Sequence, residues 1–373
     1  MKQGTEQLLA MAVFVAIGCM LGVFLVSYYD LDNIFMFALG FIAGILVSIV
    51  LHEMGHLLFG RLSGYRFVSF RLIKWQWAKN ENGRIERKKS AGLKGIGGQC
   101  LMEPPEDEKE FRYVLYNAGG ALMNLITSAA FLIPAFFIEN GIISPFLVGM
   151  GCTSVIIGIS NILPLSLSGY PSDGKNIFTA KRSPEAKHGF YVLLRTNGEM
   201  SKGKRLSDYD DNAFFVSESA DKNNHFVATL IILRASQLEE KGDFRQSHQE
   251  LQRLDSSKIS PLYGNQVIMS MIFHELVYFG DGPSVNSARE RFESKTKDKI
   301  FNNLLNMKHP VFIPYRAAIE AFLEKDIDNA RMLISQAREL LPSLQNPGME
   351  YSIELALDRL EARLNTNEAD LLE

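Results

Sequence analysis

IVLHEMGHLLFG, residues 49–60, is the stretch from which the rest of the chain can be read. His52 and His56 stand four positions apart, so on an α-helix they lie about one turn apart on one face. Glu53 sits beside the first of them. Two neutral imidazoles at this spacing can hold a metal ion, and the neighbouring carboxylate can take a proton from an attacking water. The setting is apolar. Ile34 to Leu51 carries no charged residue, and only Arg61 ends the run. The histidine pair therefore sits in a helix long enough to cross a membrane.

The pattern is the H-E-x-x-H of zinc hydrolases. Short matches of this kind arise by chance, and a soluble helix can carry them as ordinary surface residues. That reading is weakened here, because three ionisable groups in hydrocarbon cost several kcal/mol unless they are paired or bind a metal.

At 373 residues the chain has room for two domains, and its mean hydropathy is near zero. That average conceals a split. Residues 1 to about 170 are dominated by apolar runs, whereas residues 180–373 are charged and helix-periodic. A net charge of −3 carries no nucleic-acid signature. Cys19, Cys100 and Cys152 lie far apart and do not make a disulfide framework.

Four membrane spans are expected. The first, Leu8 to Tyr28, is too long for a signal peptide and lacks a small-residue cleavage site. The second follows the turn at Asp30–Asn33 and ends in the histidine motif; the third runs from about Tyr113 to Ile138 and the fourth from about Ile142 to Leu167. About a dozen Lys and Arg fall between Arg61 and Arg112, and Lys175, Lys181, Arg182 and Lys187 follow the fourth span. The connections at Asp30–Asn33 and Glu139–Gly141 carry none. The positive-inside rule therefore puts both termini and the basic segment in the cytoplasm. His52 then faces cytoplasmic water from the second span.

Between spans two and three, RFVSFRLIKWQWAKNENGRIERKK alternates with period two around Asn82-Gly83, a hairpin signal. GIGGQCLMEPP adds a short extended piece whose edge can accept an unfolded substrate by strand addition. Trp75 and Trp77 read as interfacial anchors. In NAGGALMNL, residues 117–125, Gly119, Gly120 and Ala121 permit close helix approach. Asn124 is a polar group at membrane depth that can donate to a developing oxyanion; Asn117 and Asn161 are weaker candidates. In NILPLSLSGYPSDGKN, residues 161–176, Pro164 breaks the fourth span and the polar stretch brings Asp173-Gly174 back to the membrane surface. A lone Asp-Gly is usually just a turn. Asp173 is nonetheless the best carboxylate available as third metal ligand on the side of His52 and His56.

HEMGH in one span, NAGGALMN in a later one and NILP…SDG near the end of the next resemble the site-2 proteases, the M50-like intramembrane zinc metalloproteases. The resemblance covers residues 30–178. It implies one zinc ion at His52, His56 and Asp173, Glu53 as general base, and Asn124 in substrate or oxyanion binding. GGQCLM is similar to the family's membrane-associated β segment. Two departures stand out: Gly120-Ala121 replaces the family's Gly-Pro, and the spacer from Pro164 to Asp173 is longer than its common form. No PDZ-like segment is apparent.

The C-terminal part reads as helical. YRAAIEAFLEKDIDNARMLISQARELLP places Ala318, Ala330, Ala337 and Pro342 at the small-residue and proline positions of a tetratricopeptide repeat, which it resembles. The stretch from Leu233 echoes it with Ala235, Gly242 and Ser247. Helices around 263–279 and 285–306 would complete a short α-solenoid from about 210 to 365 that offers a peptide- or partner-binding groove; a generic helical bundle is the plainer reading. His188, His225, His248, His274 and His309 show no ligand spacing and read as surface or packing residues.

The expected fold is thus mainly α. A polytopic transmembrane metalloprotease domain over 1–180 carries a small β segment, 181–210 is a linker, and 211–373 is a tetratricopeptide-like cytoplasmic domain. The expected function is zinc endopeptidase action on membrane-spanning proteins or membrane-associated peptide precursors near the cytoplasmic face. Few cysteines and no leader pattern suit a bacterial plasma membrane, with the lipid bilayer as surroundings and no nucleic-acid partner. The rival reading is a membrane-anchored adaptor with a structural or degenerate metal centre. A transporter is weak, since four spans with one metal motif offer no evident pathway.

Overall fold

The computed structural model describes residues 31–79, 83–89, 97–138, 141–167, 170–344 and 346–372. The first expected span, Leu8 to Tyr28, lies outside them. Two compact units result, one from residues 1–73 and 97–181, the other from 74–96 and 182–373.

The first unit is built on three helices, α1 (Leu31–Leu62), α2 (Tyr113–Ala135) and α3 (Ile143–Ile162). Among the described residues three stretches are long and apolar enough to cross a membrane: Asp32–Leu62, Glu108–Ala135 and Ile143–Ile162. Their outward faces carry exposed apolar side chains such as Phe35, Ile42 and Leu46 on α1 and Ile126 and Ile133 on α2. An outer surface of this composition is suited to lipid tails.

Where lipid surrounds the helices, burial of apolar side chains gives little drive for association, and close backbone packing has to do the holding. Small residues provide it. A Cβ on Gly40 would stand 2.0 Å from the Phe146 carbonyl oxygen, and one on Gly149 would stand 2.2 Å from that of Phe37. These two glycines are the α1–α3 crossing. On the other side of α1, a Cβ on Gly55 would stand 2.3 Å from the Gly119 carbonyl oxygen, and one on Gly119 2.8 Å from that of Gly55. The glycine inside HEMGH and the first glycine of NAGG are therefore one contact, seen from two helices.

β1 (Arg66–Leu72) pairs antiparallel with β4 (Gly98–Glu103), with Arg66 opposite Glu103, Leu72 opposite Gly98 and a bulge between Phe67 and Ser69. β4 is an edge strand and packs along α1. In the second unit, β2 (Trp75–Lys79) and β3 (Ile85–Lys89) form the expected hairpin, with Gly83 at φ 74° in its turn. A positive φ is what glycine supplies there without steric cost.

Helix α3 stops at Ile162, short of the expected Leu167. The cause is Pro164: the residue before a proline is pushed from helical to extended backbone, and Leu163 takes ψ 140°. The long spacer that follows folds into a two-residue hairpin, β5 (Ser166–Leu167) with β6 (Tyr170–Pro171), and enters α4 (Asp173–Ala180).

The second unit is helical. The stretch read as a linker, 181–210, contains α5 (Pro184–Met200) with Phe190, Val192 and Leu194 buried, and it groups with this unit. Ser183 accepts from the Ala186 N–H and proline follows at the first helical position, which is a helix start. Then come α6 (His225–Glu240), α7 (Phe244–Gln252), α8 (Pro261–Phe273), a π-helical turn at His274–Phe279, α9 (Gly282–Lys295) and α10 (Lys299–Leu305). The helix expected over 285–306 is thus two, separated where Asp298 caps the second through the N–H groups of Ile300 and Phe301.

α11 (Ile313–Phe322), α12 (Ile327–Leu340) and α13 (Pro347–Leu372) complete the chain. The alanines singled out in the sequence are the tight spots of the helix pairs: Ala318, Ala330 and Ala337 are fully buried, and Ser247 donates to the Ala235 carbonyl at 2.7 Å. Met269, Phe273, Phe301, Leu357 and Leu360 sit in the shared core.

Candidate metal centre

Helix α1 presents His52 and His56 on one face, with ring centroids 4.8 Å apart and Nε2 atoms 3.2 Å apart. Asp173, the first residue of α4, meets them. Its Oδ2 lies 3.1 Å from His52 Nε2 and 3.3 Å from His56 Nε2, and this oxygen has no hydrogen-bond partner. Three donor atoms thus converge on one point. Ligands about 2.0–2.1 Å from a tetrahedral zinc stand roughly 3.3–3.4 Å from each other. The observed triangle is close to that size. An orphaned carboxylate oxygen facing two imidazole nitrogens is the donor set of a metal ion, and these three are the described residues able to hold one.

Each donor is aimed by its surroundings. His56 donates from Nδ1 to the Tyr116 carbonyl at 2.9 Å, which fixes the tautomer that leaves Nε2 free. The Tyr116 hydroxyl in turn donates to the Cys100 carbonyl at 2.9 Å, so one residue of α2 ties the α1 histidine to β4. On His52, Nδ1 lies 3.1 Å from the Asn124 side-chain nitrogen, while Asn124 Oδ1 is buried without a partner. Carboxamide oxygen and nitrogen are interchangeable assignments. Turning the group over lets His52 Nδ1–H donate to Asn124 Oδ1, which satisfies both atoms and leaves Nε2 as the ligand. Ser154 donates to the Asn124 carbonyl at 3.0 Å.

The S-D-G sequence explains the position of Asp173. Ser172 caps α4 by accepting from the Lys175 N–H at 3.1 Å, and it also donates to the Leu163 carbonyl. A Cβ on Gly174 would stand 1.8 Å from the Ile162 carbonyl oxygen, so only glycine lets α4 start against the end of α3. A Cβ on Gly120 would come 2.5 Å from the His52 ring. The second glycine of NAGG leaves room for the imidazole.

Glu53 is buried beside the pair, near enough to both histidines and Asp173 to feel their charges, and the Cys100 backbone N–H bonds its carboxylate. A Cβ on Gly98 would fall 2.8 Å from Glu53 Oε1. The edge strand β4 therefore passes directly over the carboxylate.

The remaining sequence candidates lie apart. Asn117 donates to the Tyr113 carbonyl at 2.7 Å and Asn161 to that of Ile157 at 3.0 Å, so each side chain serves its own helix. Among the other histidines, His248 and His274 are buried 5.7 Å apart in the helical unit. Tyr116, Cys100 and Gly98 escaped the sequence reading, since two of them act through backbone atoms that every residue owns.

Residues 40–140 match the model of peptidase family M50. That stretch is similar to the M50 peptidases. That segment holds His52, Glu53, His56 and Asn124, and it points to metallopeptidase chemistry for the triangle described above. Asp173 lies beyond the matched residues, and its place rests on the geometry. No curated protein and no solved structure matches the chain.

Proposed function

We propose that this chain is an intramembrane zinc endopeptidase, with His52, His56 and Asp173 as ligands and Glu53 as general base. The observation that carries the reading is the placement of an acid that is not one of the three donors beside the triangle in a membrane helix. A purely structural metal site has no use for Glu53.

Zinc held there supplies Lewis acidity toward the scissile carbonyl. The chain does the rest. Glu53, fixed by the Cys100 N–H, takes the proton from the attacking water and returns it to the departing amine. Asn124 keeps the His52 ring in orientation, a use of its carboxamide that the geometry supports over direct contact with the oxyanion. β4 offers its free edge to an unwound segment of substrate, whose backbone would pair as an added strand beside Glu53. The substrates that fit are a transmembrane helix opened near the basic, cytoplasmic side, or a membrane-associated peptide precursor. We read the second unit as a short cytoplasmic solenoid of tetratricopeptide type, with bacterial plasma membrane as the setting.

The test is cleavage of a panel of tagged single-span proteins co-reconstituted in vesicles with the wild type or with Glu53→Gln. A fragment cut near the cytoplasmic face, made by the wild type alone, is expected. Equal fragment yield from both would leave the metal centre structural and favour the adaptor.

A further inference from the structure

Ser48 Oγ, Ser128 Oγ and Asn124 Oδ1 are buried polar atoms with no hydrogen-bond partner among the described residues, and their side chains are 0%, 2% and 0% exposed as residues. Register makes them neighbours. α1 and α2 run antiparallel, with Gly55 against Gly119 and His52 against both Gly120 and Asn124. Ser48 lies one turn before His52, and Ser128 lies one turn after Asn124. Both therefore stand one layer deeper in the bundle, on the continuation of the His52–Asn124 contact. α3 closes this layer: Ser154 donates to the Asn124 carbonyl at 3.0 Å, and a Cβ on Gly151 would stand 3.4 Å from the Ser128 carbonyl oxygen.

A helical hydroxyl can satisfy itself on the carbonyl of the preceding turn. Thr153 does so on α3, donating to the Gly149 carbonyl at 3.0 Å. Ser48 and Ser128 do not, although an unpaired hydroxyl inside a membrane bundle is costly.

The Asn124 carboxamide supplies a use for them. If its NH2 group faced His52, Nδ1 would accept, the ring proton would sit on Nε2, and Nε2 could not ligate. With the carboxamide oxygen turned to His52, the NH2 group lies where Oδ1 is now orphaned, and it needs an acceptor. The two serine oxygens are the polar atoms of the next layer, yet no direct bond joins them to the carboxamide. A water between the three groups accepts from the Asn124 NH2 and donates to both hydroxyl oxygens, and three such bonds are what a buried water ordinarily makes.

We propose that Ser48 and Ser128 hold one water molecule beneath Asn124, and that this site sets the carboxamide so that His52 offers Nε2 to the metal. Both serines are positioning residues that act through Asn124. The proposal rests on the reading of His52 as a zinc ligand.

The test uses the full chain in detergent micelles and compares Ser48→Ala with Ser128→Ala, Asn124→Ala, and all three changes together. Metal-free protein is first unfolded with sodium dodecyl sulfate. The triple variant should unfold close to where Asn124→Ala does, because groups joined in one network do not contribute additively. Zinc affinity, from competition with a chelator, should fall about tenfold in the serine pair. The visible bands of the Co2+-loaded serine pair should also shift from those of the wild type. Additive unfolding shifts, or an unchanged zinc affinity and cobalt spectrum, would overturn the proposal. A wild type that takes up no zinc would instead unseat the ligand reading, and the metal-free comparison would still decide whether the serines act on Asn124.

Discussion

His52 Nε2 and Asp173 Oδ2 stand 3.1 Å apart, although one belongs to α1 and the other to α4, and His56 Nε2 reaches the same oxygen at 3.3 Å. This meeting depends on three neighbours that ligate nothing. Gly174 admits α4 against the end of α3, Gly120 leaves room for the imidazole, and Tyr116 sets the direction of the second ring.

Gly174→Ala tests the first of these. Its methyl group would collide with the Ile162 carbonyl, and relief requires α4 to retreat and carry Asp173 with it. Zinc affinity, measured by competition with a chromogenic chelator, should fall by roughly 10–100-fold, the range seen when ligand support is removed. Affinity unchanged at matched folding would show that Asp173 is placed by something else.

Asn124→Ala separates two roles. If the carboxamide orients His52, zinc affinity drops, again by about 10–100-fold, and activity recovers as zinc is raised. A residue that only stabilised the oxyanion would leave affinity alone and lower turnover at saturating metal. The 3.1 Å contact with the ring predicts the first result.

Gly55→Ala puts a Cβ 2.3 Å from the Gly119 carbonyl oxygen at the crossing of α1 and α2. Overpacking of this kind costs about 1–3 kcal/mol. Unfolding of the membrane unit in mixed micelles, titrated with sodium dodecyl sulfate, should shift to lower denaturant by a matching amount. The same change at Gly141, where a Cβ meets nothing within 4 Å, should leave the midpoint in place.

How much of this could be read in advance differs from residue to residue. The histidine pair and Glu53 were legible because helix periodicity is local and the apolar flank makes their cost plain. Asp173 was legible only as the best carboxylate on the right side, since its approach depends on Gly174 fitting beneath the Ile162 carbonyl. Cys100 gave no signal, for it acts through its backbone, and Tyr116 holds His56 through its carbonyl while its hydroxyl reaches the Cys100 carbonyl, a pairing that no local pattern marks. The stretch 181–210, read as a linker for its polar composition, contains the helix Pro184–Met200, and Ser183-Pro184 is its start signal.

The helical unit should respond to acid through His248. Burial, then the neighbouring His274 and the Arg291 guanidinium, lower its pKa to about 4. The unfolded value is about 6.5, so as pH falls the unfolded chain takes up the proton first. The contribution to stability is complete above about pH 6.5, declines between there and about 4, and is constant below. Thermal unfolding of this unit within the full chain should shift down between pH 7 and 5, and His248→Gln should reduce that shift. A shift of equal size in the variant would assign it to other groups.

The central claim is that three residues of this chain make one metal site, and metal content tests it most directly. Zinc per mole of detergent-purified protein is to be compared between the wild type and Asp173→Ala at matched folding. The account predicts about one equivalent in the wild type and a marked loss in the variant, as expected of a three-ligand site. One equivalent in both would contradict it.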